Sequence, residues 1–522
     1  MRESHDVIVI GTGIAGISAA ISAREEGLDV LVISKADRAE ETNTNYAQGG
    51  IIAWREGDSA ELLAKDIFKA GCEYNGREAV ELLSNEGPAM VFDLLVNKAK
   101  VPFSRAADGS LDYTEEAAHS ARRILHYEDH TGDAIQAAIL AYARSLGIEI
   151  RTSLTAVDLI TNNHHSTDCQ ELYKEREVLG VYALDNASGQ VHTLLAHAVV
   201  LASGGLGNIY QYTTNPPEAT GDGIAMASRA GADIINAEFV QFHPTALFHS
   251  DIRRFLVSES LRGEGARLVR RDGTPFMDDY HPQKDLAPRD VVARAIFEEM
   301  AKEGSKYMYL NLAGYYKGEK PIKERFNRIY STCMDVGLDI SKDNIPVTPA
   351  AHYFCGGVKV DKDGHSSIQR LYAVGEVSCT GLHGANRLAS TSLLEGLVWG
   401  VRAGKDIARN FAPVSAARMD AIPEWKNPKT PEVFEPTLIY QDWNLIKLTM
   451  WNHAGIVRTR KGLHRAEADL NYHAHRITRF YQEAALSRDI VELRNGVISA
   501  QLVVRAAMHN ERSIGCHFRR DV

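Results

Sequence analysis

The first apolar run of the chain has the pattern of a strand buried on both faces. Val7–Ile10 is continuously apolar and β-branched, and a G-x-G-x-x-G turn at Gly11, Gly13 and Gly16 follows it. An apolar helix pattern and a second strand, ending at Ile33, come next. Such units hold a dinucleotide pyrophosphate at the helix N-terminus, because the glycines allow a tight turn, close backbone approach and helix packing. The pattern therefore predicts a dinucleotide site.

Two more apolar runs of this kind lie far along the chain. Residues 197–208 read as a buried strand ending in glycines, and residues 371–404 read as a strand, a loop and an apolar helix. We predict one Rossmann-like nucleotide-binding domain built from distant segments and interrupted by an insertion. The predicted domain comprises 1–234 and 354–412, and the insertion, 235–353, is expected to be an α+β capping domain that meets the substrate.

The C-terminal part has helical periodicity. The Pro-rich segment 413–436 predicts a linker, and the remainder, 437–522, shows mixed three- and four-residue apolar spacing, which is typical of a small helix bundle. The three predicted helices are 440–457, 461–485 and 488–509.

Composition limits the functional class. A chain of 522 residues with 44% hydrophobic and 24% charged residues indicates a globular protein of several domains. The net charge of −10 disfavours nucleic acid as a partner. No apolar run reaches the length of about 18 residues needed to span a bilayer, and Met1–Asp6 lacks a signal-peptide pattern. The six scattered cysteines contain no C-x-x-C pair and suit a reducing cytoplasm, so we expect a cytoplasmic protein without a membrane partner.

One polar stretch raises the question of a metal. Residues 161–177 are predicted to form a hairpin loop, and they include the neighbouring His164 and His165. Adjacent histidines in a polar loop are most often solvated, so no metal site is predicted.

Six ordered motifs point to a known family: TNYAQGGI (44–51), GDGIAMASRAGA (221–232), EFVQFHPT (238–245), SESLRGEGA (258–266), LAPRDVVARAI (286–296) and GANRLASTSLLEG (384–396). Together they resemble the succinate dehydrogenase and fumarate reductase family of flavoproteins, and within it the L-aspartate oxidase branch, over nearly the whole chain. The resemblance implies bound FAD. Its implied cofactor contacts are Gly11, Thr12, Gly13, Ile14, Ala15, Gly16, Ser34, Lys35, Thr44, Asn45, Tyr46, Ala47, Gln48, Gly49, Gly50, Asp222, Glu376, Ser392 and Leu393.

Three local features refine the cofactor prediction. The second strand ends in Ile33-Ser34-Lys35 without the acid that holds an NAD ribose, which disfavours a plain NAD dehydrogenase. Respiratory relatives attach FAD covalently through a histidine five residues before the glutamine of A-Q-G-G, and here that position is Asn43. Non-covalent FAD is therefore expected. Ser390 or Thr391 is a predicted N-cap of a helix whose positive end would stabilise the reduced flavin.

The resemblance also implies a dicarboxylate pocket. Its implied carboxylate partners are His243, Ser258, His352 and Arg387, and Gln241 and Glu259 are implied to line the same pocket. An arginine there can bind a planar carboxylate with two parallel hydrogen bonds.

The implied catalytic set is Arg289, Glu116, His243 and Glu259. Arg289 matches the arginine that handles protons in the family, although its task with an amino acid can be electrostatic. Asp290 is predicted to cap the helix that follows, at 291–301.

Residues 113–133, YTEEAAHSARRILHYEDHTGD, contain the segment that marks aspartate oxidases within the family, with Glu116 and His119 at its start. Ala117 and Ala118 replace two glycines that are usual in relatives, and alanine resists conformations that glycine reaches. If Glu116 faces the pocket, its carboxylate would meet a substrate ammonium group.

The function implied is oxidation of L-aspartate to iminoaspartate by hydride transfer to N5 of FAD. Reoxidation would use O2, giving H2O2, or fumarate, giving succinate. Iminoaspartate would enter NAD biosynthesis through quinolinate, with a possible hand-off to quinolinate synthase. The alternatives are a soluble fumarate reductase, a succinate dehydrogenase flavoprotein subunit, and a flavin-binding scaffold without turnover. The scaffold is disfavoured because Arg289, His243 and Arg387 are all present.

Overall fold

The computed structural model describes residues 1–116, 118–128, 130–250, 255–428 and 435–522. The strands of these residues are β1 (Arg2–Ile10), β2 (Val30–Ile33), β3 (Ile51–Ile52), β4 (Tyr113–Thr114), β5 (Ile124–Leu125), β6 (Glu149–Arg151), β7 (Leu154–Thr161), β8 (Val178–Asp185), β9 (Val191–Leu201), β10 (Ile234–Ile235), β11 (Val240–Leu247), β12 (Arg267–Val269), β13 (Met308–Asn311), β14 (Ile345–Phe354), β15 (Gly357–Lys359), β16 (Leu371–Ala373) and β17 (Ser378–Cys379).

The α-helices of the same residues are α1 (Ile14–Glu25), α2 (Ala60–Ala70), α3 (Arg77–Met90), α4 (Thr131–Ser145), α5 (Asn162–His165), α6 (Asp222–Ala230), α7 (Ser260–Gly263), α8 (Arg289–Glu303), α9 (Ile322–Arg325), α10 (Asn327–Met334), α11 (Thr391–Arg409), α12 (Ala416–Asp420), α13 (Pro436–Ala454), α14 (Arg460–Glu483) and α15 (Arg488–His509). The chain continues from α3 into a π-helix, Val91–Lys98.

The main sheet has the strand order β6-β2-β1-β9-β8-β7, and β16 also pairs with β9. Strands β6, β2, β1, β9 and β16 are parallel, whereas β8 and β7 join in antiparallel pairing. Parallel strands end at the same edge, so the turns after β1, β9 and β16 lie side by side, linked by hydrogen bonds from Ala202 N to Ile10 O (2.8 Å) and from Val374 N to Leu201 O (2.9 Å). The three strand–glycine units predicted from the sequence therefore join one sheet.

Helices α1 and α11 pack closely over this sheet. A Cβ atom added at Gly400 would lie 2.4 Å from Ala15 O, and one added at Gly404 would lie 2.4 Å from Ala19 O. Glycines at this spacing let the two backbones approach closely, with only small α1 side chains such as Ser18 and Ser22 at the contact. This contact fixes the start of α11 beside the glycine turn that follows β1.

The inserted segment forms its own antiparallel sheet, in the order β11-β14-β13-β12. Helix α8 packs on this sheet through Val292, Ala295 and Ile296, which share a core with Leu247 and Val347. The insertion carries a separate apolar core, and that core supports α8 and the Arg289 side chain at its start.

The C-terminal helices α13, α14 and α15 pack together and against the main sheet through one shared core. All three predicted helices are present, with ends shifted by up to four residues. No helix within the described ranges is long and apolar enough to cross a membrane.

The first part of the predicted linker packs against the main sheet and is not a free connection. Within 413–428, Met419 and Ile422 are buried against β7–β9, and Tyr182 Oη donates to Pro423 O (2.8 Å). Apolar residues between the prolines explain this packing. Residues 429–434 of the predicted linker lie outside the described residues.

The polar stretch 161–177 connects the antiparallel strands β7 and β8, as a hairpin connection does, but it contains the short helix α5 and a 3-10 turn. His165 Nδ1 accepts a hydrogen bond from Thr161 N (3.0 Å) within this connection. Across the part of the chain that the structure describes, no group of three His, Cys, Asp or Glu side chains is arranged to hold a metal ion.

Candidate active site

A cavity of about 1220 Å³ opens between the main sheet and the inserted domain. Most residues implied by the sequence line it. They are Gly11, Thr12, Gly13, Ile14, Ala15, Ser34, Lys35, Thr44, Tyr46, Ala47, Gln48, Gly49, Gly50, Glu116, Asp222, His243, Ser258, Glu259, Arg289, His352, Glu376, Arg387, Ser392 and Leu393.

The glycine turn after β1 fits a bound pyrophosphate. Gly11 has φ of +122°, and a Cβ atom there would lie 2.2 Å from Ala202 O. Gly13, the residue before α1, supplies no side-chain cap, so the positive end of this buried helix faces the cavity. Thr44 Oγ1 accepts from Ile14 N (3.1 Å) and fixes the 44–51 loop at the same place. This is the geometry that FAD binding requires at its phosphates.

A charged cluster includes two residues of the cavity wall, Lys35 and Asp222. Lys35 Nζ contacts Asp222 Oδ2 (2.5 Å) and Glu492 Oε1 (2.7 Å), and Asn495 Nδ2 donates to Asp222 Oδ1 (2.9 Å). Burial disfavours the charged amine, but the two carboxylates outweigh this effect and raise the pKa of Lys35. Helix α15, far away in sequence, therefore orients two of the implied cofactor contacts.

Glu376 also lines the cavity. It accepts hydrogen bonds from Asn43 Nδ2 (2.7 Å) and from Phe354 N (3.0 Å). Burial raises the pKa of Glu376 to about 7, and the two donors oppose that rise. Asn43 is thus engaged by a carboxylate at the position where respiratory relatives carry the flavin-linking histidine.

The start of α11 corrects one prediction. Ser390 is the N-cap residue, but it has φ of +57° and makes no side-chain cap hydrogen bond. Its hydroxyl donates to Glu116 Oε2 (2.6 Å), and Thr391 Oγ1 donates to Leu388 O (2.6 Å). Neither predicted hydroxyl caps the helix, and its first turn, with Ser392 and Leu393, faces the cavity.

Arg387 is a buried cation, 7% exposed. Its Nε donates to Gln241 Oε1 (3.3 Å), its Nη1 to Ser392 Oγ (3.1 Å), and its guanidinium lies 4.7 Å from the Tyr353 ring centroid. Burial, followed by the charge of Arg289, lowers the pKa of Arg387. No carboxylate among the described residues forms an ion pair with it, so the guanidinium faces the cavity without a direct acidic partner.

Two histidines lie beside this charge, with ring centroids 5.4 Å apart. His243 Nδ1 accepts from Thr245 N (3.2 Å), so the neutral ring must carry its proton on Nε2. His352 Nδ1 lies 2.8 Å from Thr214 Oγ1. Burial and the neighbouring arginines lower the pKa of both rings well below the usual value. Both are therefore neutral near pH 7, and His243 offers an N–H donor.

Arg289 and Glu259 form an ion pair at the cavity wall, with Nε 2.8 Å from Oε2. Burial opposes the charged form of Arg289, but Glu259 and then Glu116 raise its pKa. Arg262 lies behind the pair, with Nη2 3.3 Å from Glu259 Oε1. The predicted capping role of Asp290 is wrong: α8 begins at Arg289, and Asp290 instead pairs with Arg294 within the helix (2.9 Å).

The segment around Glu116 is anchored by buried polar contacts. Ser120 N donates to Asp66 Oδ2 (2.9 Å), and the fully buried Arg123 contacts Asp66 (2.8 Å) and Asp58 (2.8 Å). Ala118, one of the two glycine replacements, has φ of +68°. Ala117, the other replacement, lies outside the described residues. Glu116 reaches the cavity despite the substitution at 118.

Three implied residues do not line the cavity. Gln241 is 1% exposed and holds Arg387 and Asn386 instead of facing a ligand. Gly16 packs on the backbone, since a Cβ atom there would lie 2.1 Å from Gly11 O. Asn45 contributes a backbone hydrogen bond to Thr42 Oγ1 (3.2 Å). None of the three lies on the cavity wall.

Sequence reasoning missed several cavity residues, among them Ser203, Thr214, Asn215 and Tyr353. Ser203 lies two residues after the end of β9 in AHAVVLASGGLG, and Tyr353 directly follows His352. Adjacency to a strand end or an assigned site residue was the available signal for these two. Thr214 and Asn215 lie in a stretch without such a signal.

Comparison with known proteins shows what this chain resembles in sequence and fold. The family model described as FAD binding domain matches residues 6–393, and that described as fumarate reductase flavoprotein C-term matches 444–522. An L-aspartate oxidase of Yersinia pestis is 42% identical over 99% of this chain and 96% of its own length, and one of Halobacterium salinarum is 41% identical over 99% and 96%. A solved structure of E. coli quinol fumarate reductase matches with a TM-score of 0.87 and 28% identity, over 100% of this chain and 92% of that chain.

Proposed function

This chain belongs to the L-aspartate oxidase family of FAD-dependent oxidoreductases, and we propose that it oxidises L-aspartate to iminoaspartate as the first step of NAD biosynthesis through quinolinate. The single observation that carries the proposal is Arg387, a buried guanidinium without a carboxylate partner among the described residues, in the cavity that also contains the glycine turn. A buried charge of this kind calls for an anionic ligand.

The cavity residues divide between the carboxylates and the ammonium group of an amino dicarboxylate. Arg387 and the Nε2–H of His243 are the proposed carboxylate partners, assisted by His352 and the hydroxyl of Ser258. Glu116 is the proposed partner of the substrate ammonium group, which succinate and fumarate lack. The ammonium must lose a proton as the imine forms, and a carboxylate at this position can accept it.

FAD, when bound, accepts the two electrons and the hydrogen that leave the substrate α-carbon. The chain's own task is to hold that carbon in place and to balance charge. Arg289, fixed by Glu259, supplies a permanent cation at the cavity wall. Its raised pKa favours an electrostatic role over proton donation during aspartate oxidation.

Reduced cofactor is proposed to be reoxidised by O2, giving H2O2, or by fumarate, giving succinate. A cytoplasmic location is proposed from the six free thiols, and hand-off of iminoaspartate to quinolinate synthase is part of the same proposal. The second candidate function, a soluble fumarate reductase, is favoured by the fold likeness to the E. coli quinol fumarate reductase. The Glu116 carboxylate in the cavity favours aspartate.

The direct test is an oxygen-electrode assay of FAD-loaded protein with L-aspartate, D-aspartate or succinate as the only reductant. L-aspartate should drive O2 consumption with stoichiometric H2O2, and the other two should not. Turnover with succinate and none with L-aspartate would replace the proposal with the second candidate.

Non-covalent binding of FAD is a separate part of the proposal, supported by Asn43 and its hydrogen bond to Glu376. Acid precipitation should release all the flavin into the supernatant. Flavin retained in the protein pellet would contradict this part.

A further inference from the structure

Ser390 has a hydroxyl with two defined neighbours. The residue is 9% exposed and lies directly before α11. Its Oγ accepts a long hydrogen bond from Gly50 N (3.4 Å) and donates to Glu116 Oε2 (2.6 Å). A hydroxyl has one proton, and the amide donor on its acceptor side directs that proton to the carboxylate.

The Glu116 carboxylate is held from two sides. A Cβ atom added at Gly49 would lie 2.5 Å from Glu116 Oε1, so the carboxylate packs directly over the Gly49 backbone. The segment that follows is anchored by Ser120 and Arg123 on Asp66. Oε1 accepts no hydrogen bond from any residue that the structure describes, whereas Oε2 is held by Ser390.

The same short stretch also fixes the carboxylate side of the site. Arg387 Nη1 donates to Ser392 Oγ (3.1 Å), two residues beyond Ser390. Six consecutive residues, 387–392, therefore connect the proposed carboxylate partner with the proposed ammonium partner. The short stretch that leads into α11 therefore sets the separation of the two charges.

We propose that Ser390 is the positioning residue for substrate selectivity: its hydroxyl holds Glu116 so that Oε1 meets the ammonium of an amino dicarboxylate. This inference rests on the proposed function and deepens it. A dicarboxylate without an amino group makes no use of the Ser390–Glu116 contact. Loss of the hydroxyl should therefore impair aspartate oxidation more than fumarate reduction.

Two substitutions separate the hydroxyl from the backbone. Ser390→Ala removes the hydroxyl and keeps a side chain at φ of +57°, whereas Ser390→Gly removes the hydroxyl and relieves that conformation. The measurement is the ratio of kcat/KM for L-aspartate oxidation to kcat/KM for fumarate reduction with a reduced viologen dye, in FAD-saturated protein. Both variants should lower this ratio about tenfold, as expected for loss of a hydrogen bond to a charged group. Most of the change should appear in KM for aspartate.

Glu116→Gln and the double variant Glu116→Gln with Ser390→Ala complete the test. If Ser390 acts through Glu116, the double variant should have the same ratio as Glu116→Gln alone. An unchanged ratio in both Ser390 variants, a ratio that differs between Ala and Gly, or additive losses in the double variant would overturn the inference. If Glu116→Gln itself leaves the ratio unchanged, the ammonium contact in the proposed function fails instead.

Discussion

Arg387 combines a proposed binding role with an unfavourable position for folding, and its replacement by leucine should separate the two. The guanidinium is 7% exposed and has no acidic partner among the described residues. In the substrate-free protein, the cost of removing its charge from water is therefore not offset by an ion pair. Leucine removes the charge and leaves Gln241 Oε1 without its Arg387 donor. That unpaired acceptor costs about 1–3 kcal/mol, against several kcal/mol recovered by removing an unpaired buried cation.

Catalysis should respond in the opposite direction. Loss of one partner of a buried charge pair costs about 2–5 kcal/mol, which corresponds to a fall in kcat/KM for aspartate of roughly 30-fold to 4000-fold. Arg387→Leu should therefore be nearly inactive while its substrate-free form unfolds at the same temperature as the wild type or higher. Thermal unfolding without succinate measures the stability of each protein, and the shift caused by succinate measures whether the ligand still binds. Succinate at about 100 times its Kd should stabilise the wild type by about 2.7 kcal/mol and leave the variant unshifted.

Arg402, within the α11 helix that follows Arg387, offers a matched control. It pairs with Glu86 (2.7 Å) and Asp363 (2.8 Å), away from the cavity. Arg402→Leu should lower stability by about 1 kcal/mol and leave kcat/KM for aspartate unchanged. The reasoning about Arg387 would be refuted if Arg387→Leu unfolded well below the wild type, or if it bound succinate and turned over aspartate normally.

The remaining predictions concern the cofactor end, one strained residue and pH. Asn495→Ala should raise the Kd for FAD about tenfold in a flavin-fluorescence titration, whereas Gln501→Ala on the same helix should not; a Kd for Asn495→Ala equal to that of the wild type would exclude a role for Asn495 in FAD binding. Ala118→Gly should raise the free energy of unfolding by about 0.5–1 kcal/mol because φ is +68°, while Ala138→Gly inside α4 should lower it by about 1 kcal/mol; urea titration tests both. The folded-state pKa of Glu376 is raised from 4.5 to about 7, so FAD-free protein should lose stability as pH rises between these values, and Glu376→Gln should flatten that dependence; the same slope in the variant would contradict the assignment.

Local patterns in the sequence predicted the main sheet, the glycine turn and the position of the start of α11 well. A β-branched run followed by spaced glycines defines its own strand and turn, so Val7–Gly16 could be assigned without knowing its neighbours. The start of α11 was predicted correctly as a position for the same reason. The use of its hydroxyl was not, because Ser390 bonds to Glu116, 274 residues earlier in the chain.

Other differences have the same physical origin. Gln241 lies on β11 two residues before His243, so the two side chains are expected on the same face of the strand. Both faces of that strand are buried, however, and the Gln241 side chain accepts a hydrogen bond from Arg387. The contact of Glu492 with Lys35 joins segments more than 450 residues apart, and no local pattern indicates it. Long-range hydrogen bonds decide which polar residues reach the cavity and which hold others in place.

The most direct test of aspartate recognition is anaerobic bleaching of the bound flavin. FAD-loaded protein is mixed without O2 with L-aspartate, succinate or L-glutamate, and the visible flavin absorbance is followed. L-aspartate should bleach the flavin, because it alone combines an ammonium group for the proposed partner Glu116 with a chain length that suits the proposed carboxylate partners Arg387 and His243. Bleaching by succinate with none by L-aspartate would contradict the proposed function.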